Sequence, residues 1–116
     1  MARTQQLGKD AENTAAQFLI KQQLRVITRN YLCRGGEIDL IMQEGQYLVF
    51  IEVRMRSHSQ FGSALASVDW RKQARLIHTA QHYLLKHPWP GPCRFDVIAV
   101  SQQGKCEWIK NAFEAG

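Results

Sequence analysis

The chain has 116 residues, 45% of them hydrophobic, with 15 lysines and arginines against 10 acids for a net charge of +5. That length suits one compact domain over residues 1–116; the composition is too apolar for a disordered chain and lacks the run of roughly 20 apolar residues that spans a bilayer. The positive balance favours an anionic partner, nucleic acid first, and the three cysteines, Cys33, Cys93 and Cys106, have no metal-finger spacing and read as reduced thiols.

The opening "MARTQQLGKDAENTAAQFL" has no apolar core followed by a cleavage site, so no signal peptide, no membrane association and a cytoplasmic location are expected. Residues 4–23 repeat Leu7, Ala11, Ala15, Phe18 and Leu19 at three- and four-residue steps, which predicts a helix, with Thr4 as its N-cap. "LRVITRNYL" (24–32) is β-branched and aromatic and predicts a strand; "CRGG" is a turn; "EIDLIM" (37–42) alternates and predicts a second strand. "QEGQ" is a hairpin signal, and "YLVFIEVRMR" (47–56) reads as a third strand, apolar on both faces and therefore central. "SHSQFGSALAS" (57–67) is a polar loop, expected to be mobile. Residues 68–87 form a second helix, capped by Ser67 or Asp69, with Ala74, Ile77, Ala80 and Leu84 on its inner stripe. "HPWPGP" ends it, and "CRFDVIAVS" (93–101) and "KCEWIKNAF" (105–113) are two further strands. The order αβββαββ is a mixed α/β domain in which two helices must cover sheet faces.

Ionised side chains are almost never fully buried unless paired or bound to a metal, yet the central strand carries Glu52 and Arg54. Two residues apart, they share one face. Asp39 lies on the preceding strand, with Ile38, Leu40 and Met42 assigned to the opposite face. If Gly45-Gln46 makes a two-residue turn, Gly first as type II′ prefers, residue 44 pairs with 47 and Asp39 falls directly opposite Glu52; a Glu44-Gly45 turn shifts the pairing by two and still leaves both acids on one face, and a three-residue loop does not unless a bulge corrects it. Two opposed carboxylates repel unless something positive lies between them. One reading is a salt bridge from Arg54. The other is a divalent-cation site, since Mg²⁺ takes one or two carboxylates together with waters and substrate phosphate. Glu12 sits at the edge of the first helix's apolar stripe, where it either reaches over the sheet or stays in solvent.

"GGEIDLIM…YLVFIEVRMRS" resembles the PD-(D/E)xK nuclease signature, an Asp on one strand and Glu-x-Lys on the next. Together with "GKDAENTAAQFL", "RKQARLIHTAQHYL" and "CRFDVIAV", it resembles the bacterial YraN family, similar to archaeal-type Holliday junction resolvases, from about Gly8 to Phe113. The resemblance implies a restriction-endonuclease-like fold, a mixed central sheet flanked by helices. It also implies a Mg²⁺- or Mn²⁺-dependent endonuclease acting on DNA, with Asp39 and Glu52 as ligands and Glu12 assisting. Arg54 departs from the signature, whose last residue is a lysine that positions or deprotonates the attacking water. Arginine does not lose its proton in a protein, so the lysine's role is either electrostatic here or taken over from the second helix, where Lys72 is the candidate.

In that scheme the backbone carbonyl of Val53 joins Asp39 and Glu52 as a ligand. Arg54 and Lys72 neutralise charge on the phosphate, while Arg34, Arg56, Arg71 and Arg75 hold flanking phosphates. Gly62 lets the mobile loop approach DNA. The alternative is a nucleic-acid-binding module with a degenerate site that grips without cutting; a third reading is a scaffold whose acids form buried ion pairs. A junction resolvase needs two sites and hence a homodimer, but no interface stripe is legible. His78 and His82, four apart, have no third zinc ligand placed by the sequence. His58 reads as a solvated loop histidine. Trp70 either stacks on a base or packs in the core, Trp89 and Trp108 read as packing residues, and Arg94 with Asp96 as an ion pair.

Overall fold

A computed structural model of the protein describes residues 2–56 and 65–115. Its elements are α1 (Ala2–Lys21), β1 (Arg25–Cys33), β2 (Gly36–Glu44), β3 (Tyr47–Met55), α2 (Trp70–Lys86), β4 (Cys93–Val100) and β5 (Cys106–Phe113). This is the expected αβββαββ order. The five strands form one sheet in sequence order. All neighbours are antiparallel except β3 and β4, which run parallel and are joined through α2. The mixed sheet with a helix on each face is consistent with a restriction-endonuclease-like fold. No described helix is long and apolar enough to cross a membrane.

Each sheet face has its own core. On one, α1 lays Ala11, Ala15, Ala16 and Leu19 against Leu40, Met42, Val49, Ile51, Ile98 and Val100. The small alanines let the helix backbone come close to the strands. On the other, Leu76, Ala80 and Tyr83 of α2 pack on Ile38, Ile41, Leu48, Phe50, Phe95 and Val97. β3 is central, as its two apolar faces demand. α1 begins at Ala2, so Thr4 lies within its first turn and is not the N-cap. A helix starting two residues earlier simply continues the same favourable sequence backwards.

The β2–β3 hairpin has the expected register, Glu44 opposite Tyr47 and Leu40 opposite Ile51. Gly45 has φ +58°, while Gln46 stays out of the left-handed region, the pattern of a type II′ turn. Asp69 caps α2 by accepting the Lys72 N–H at 3.0 Å; Ser67 does not.

The buried stripe of α2 is Leu76, Thr79, Ala80 and Tyr83. Ala74 is exposed, and Ile77 and Leu84 are only half-buried, so the helix is turned by about one residue from the expected face. The cause is aromatic packing. Tyr83 meets Tyr31 and Phe50 edge-on at 5.1 and 6.1 Å between ring centroids, a larger apolar contact than Leu84 would make. Gly36 assists: a Cβ there would overlap Thr79 Oγ1 and stand 3.2 Å from the Arg75 carbonyl, so the absent side chain lets β2 and α2 touch.

Candidate functional site

Turning α2 by one residue has a chemical result. Lys72 precedes Leu76 by four and Thr79 by seven, so it shares their inward stripe. Its Nζ lies 3.3 Å from Glu52 Oε2, and Arg54 Nη1 lies 3.2 Å from the same oxygen. Glu52 is 4% exposed, and both cations reach it because the second face of β3 turns toward α2. Arg54 is held by Ser67 as well, its Nε donating to the Ser67 hydroxyl at 3.0 Å and its Nη2 to the Ser67 carbonyl at 3.3 Å. Sequence reasoning weighed Ser67 only as a helix cap and missed this contact.

Asp39 breaks its strand. The β2–β3 ladder runs to Leu40 and Ile51; at the next position, opposite Glu52, the Asp39 carboxylate accepts the Val53 N–H at 2.8 Å. Ile38 joins the α2-side core, while Leu40 and Met42 join the α1-side core. The three do not share one face, as simple alternation predicted. The irregularity extends to β1. Asn30 falls between the Arg29–Leu40 and Tyr31–Ile38 pairs and takes a left-handed φ of 51°. Asparagine tolerates that region better than most residues. Its side-chain amide donates to Glu12 Oε1 at 3.0 Å, which fixes the helix acid beside the break. An asparagine inside a β-branched run was the one available signal.

Glu12, Asp39, Glu52, Arg54 and Arg56 thus line one notch of about 400 Å³, floored by Val53 and walled by α1 at Gly8. A larger cavity of about 610 Å³ opens between α2 and the Tyr47, Phe95 and Phe113 side chains. It lies at the far end of β3 and contains neither member of the acid pair.

Burial pushes the Asp39 carboxyl up to about 8; the Glu52 charge adds to this, the Val53 N–H opposes it, and the Glu12 charge and a hydrogen bond with Glu52 add further. Arg54 and Lys72 both sit on Glu52, so among the described residues Asp39 gathers negative neighbours with no ion pair of its own. Among the described residues no three of His, Cys, Asp and Glu converge on one point; the donors are a carboxylate pair, with Glu12 at the rim. Val53 contributes more than its N–H. In a strand the N–H and C=O of one residue face the same neighbour, so the Val53 carbonyl also points toward the gap. An all-oxygen set of two carboxylates and a carbonyl is of the kind a hard divalent cation such as Mg²⁺ or Mn²⁺ takes, with two cations already on Glu52 Oε2.

The four arginines expected to hold phosphates fall on three parts of the chain. Arg56 follows β3 and lines the notch. Arg71 and Arg75 are exposed on α2, and Arg34 is exposed on the β1–β2 turn, next to Gly36, which abuts the Arg75 carbonyl. His78 and His82 serve structural contacts, with the Arg34 carbonyl at 3.3 Å and the Tyr31 hydroxyl at 2.7 Å. Arg94 pairs with Asp96 at 2.9 Å, as expected, and Trp108 Nε1 donates to the same carboxylate. Trp70 is not a core residue: it is 71% exposed. His58, Gly62 and most of the polar loop lie outside the described residues.

Residues 11–100 match the model of the family described as "Uncharacterised protein family UPF0102". The chain is 53% identical over 109 residues to a UPF0102 protein of Nitrosomonas europaea, covering 92% of each chain. It is 54% identical over 112 residues to one of Methylobacillus flagellatus, covering 95% of this chain and 98% of the other. To one of Nitrosomonas eutropha it is 50% identical over 116 residues, the full length of both.

Proposed function

The chain belongs to the UPF0102 (YraN) family, and from that premise and the acid notch we propose that it is a Mg²⁺- or Mn²⁺-dependent endonuclease hydrolysing DNA phosphodiester bonds, on structured or branched DNA. The observation that carries this reading is Lys72 Nζ at 3.3 Å from Glu52 Oε2. It supports the reading because a lysine of the neighbouring helix reaches the Glu52 carboxylate, where the signature's lysine would be needed.

Asp39, Glu52 and the Val53 carbonyl would hold the ion. When bound, it supplies Lewis acidity to the phosphate and lowers the pKa of a water. Asp39 gives up its proton to become a ligand. Lys72 and Arg54, both anchored on Glu52, donate hydrogen bonds to charge growing on the phosphate oxygens. Lys72, the more flexible donor of the two, orients the attacking water, while Arg54 stays a fixed charge. Arg34, Arg56, Arg71 and Arg75 hold flanking phosphates without reading sequence.

The test is cleavage of junction, flap and single-stranded DNA with Mn²⁺ or Mg²⁺, beside binding in EDTA. Asp39→Ala and Glu52→Ala are expected to lose at least about 100-fold in rate, and Lys72→Ala a similar factor. If all three cut as well as the parent, this site assignment fails. Arg54 in the signature's lysine position favours a second reading, a module that grips nucleic acid without cutting it. Parent protein that binds in EDTA and cuts nothing with either metal would establish that reading.

A further inference from the structure

Trp70 opens α2 with 71% of its surface exposed. An indole carries more apolar area than almost any other side chain and is normally buried. Among the described residues no structural duty explains its position: Asp69 makes the cap, and Val68, 1% exposed, supplies the apolar residue that enters the core here. The ring is nevertheless organised. The Arg71 guanidinium lies 5.1 Å from its centroid, in the range of a cation–π contact.

Its surroundings are equally specific. Trp70, Arg71, Ala74 and Arg75 are all exposed, and Arg71 and Arg75 are one helical turn apart. Residues 70, 71, 74 and 75 share one exposed helical face, which sets one aromatic ring beside two cations with the small Ala74 among them. Two residues along, or about 3 Å of helix rise, Lys72 turns inward to Glu52. The ring therefore stands within a few nucleotides of any phosphate held at the notch. Aromatic faces interleaved with cations are how proteins bind unpaired bases, the ring stacking and the cations tracking the backbone. A continuous duplex offers such a ring nothing, because its bases are already stacked on both faces.

We propose that Trp70, braced by Arg71, is a stacking platform for an unpaired base, and that the notch acts on nucleic acid carrying a single-stranded segment beside the bound phosphate. This rests on the nucleic-acid reading of the notch and names its substrate class.

The experiment compares parent, Trp70→Ala and Trp70→Phe in EDTA on three DNAs of one sequence: single-stranded, duplex with a single-stranded flap, and fully paired. Trp70→Ala is expected to weaken the single-stranded and flap complexes about tenfold more than the duplex complex, and Trp70→Phe to recover most of that difference. Indole emission of the parent falls when the single strand binds; Trp70→Phe abolishes most of that quench, with Trp89 and Trp108 still emitting. Equal losses on all three DNAs, or a quench that persists in Trp70→Phe, overturns the proposal while leaving the nuclease reading intact. Parent protein that binds none of the three overturns both.

Discussion

A carboxyl held at about 8 keeps its proton over most of the neutral range, and Asp39 is such a group because it is buried beside Glu52 and Glu12. Its ordinary value is 3.8. Between those two pH values the folded protein holds a proton that the unfolded chain has lost. By linkage, the metal-free protein is favoured below about pH 4 and loses that contribution as pH rises toward 8. With metal chelated, Tm should therefore fall between pH 5 and pH 8. Asp39→Asn should flatten the fall and raise Tm at pH 8 by several degrees, given about 4–8 °C per kcal/mol for small domains. Identical pH profiles for parent and Asp39→Asn would refute this account of the carboxyl. Mn²⁺ binding near pH 7 should release a proton, read as a heat that changes with the buffer's ionisation enthalpy. Of the notch residues, Asp39 and Glu52 were legible because acids stand out in apolar strands. Glu12 was named but left between the sheet and solvent, since its placement depends on the Asn30 amide, which is distant in sequence and adjacent in space.

At the scale of elements, the hairpin and α2 differ in how far the sequence specified them. Gly45-Gln46 closes a two-residue turn, one of the closures the sequence left open, and turn length then fixes the register that brings Asp39 beside Glu52. α2 carries two overlapping stripes of three- and four-residue spacing, one through Ile77 and Leu84 and one through Leu76 and Tyr83. Both are plausible from sequence; the fit of the Tyr83 ring between Tyr31 and Phe50 selects the second. Gly36 should therefore be sensitive. Gly36→Ala places a Cβ against Thr79 Oγ1 and the Arg75 backbone and is expected to cost about 1–3 kcal/mol by overpacking, measured by urea denaturation. Because the displaced helix carries Lys72, cleavage should fall as well at concentrations of metal that saturate the parent. An unchanged urea midpoint would show that β2 and α2 have more room than their contact implies.

Across the whole molecule, the parallel crossover from β3 through α2 to β4 is what brings the helix cations to the strand acids. Arg56 lines the notch, while Arg34, Arg71 and Arg75 are exposed on the β1–β2 turn and on α2. Four phosphate contacts predict a slope of about −3 in log K against log salt for single-stranded DNA. Each of Arg34→Ala, Arg56→Ala, Arg71→Ala and Arg75→Ala should reduce it by about 0.7. Binding isotherms between roughly 50 and 200 mM salt, the range over which this effect is large, would check it. A slope near zero would remove the electrostatic basis for a nucleic-acid partner.

The sequence by itself determined the element order and the central position of β3, and it offered the Gly45-Gln46 turn as one of three closures, which the Glu44–Tyr47 pair selects. These rest on hydrophobic spacing and turn residues, which act over a few neighbouring positions. Only the tertiary structure decided that α2 turns Lys72 inward and leaves Trp70 in solvent, that β2 breaks its alternation at Asp39, and that Asn30 tethers Glu12. Those choices depend on the volumes and hydrogen-bond partners that distant segments present to each other, and a local pattern does not contain them.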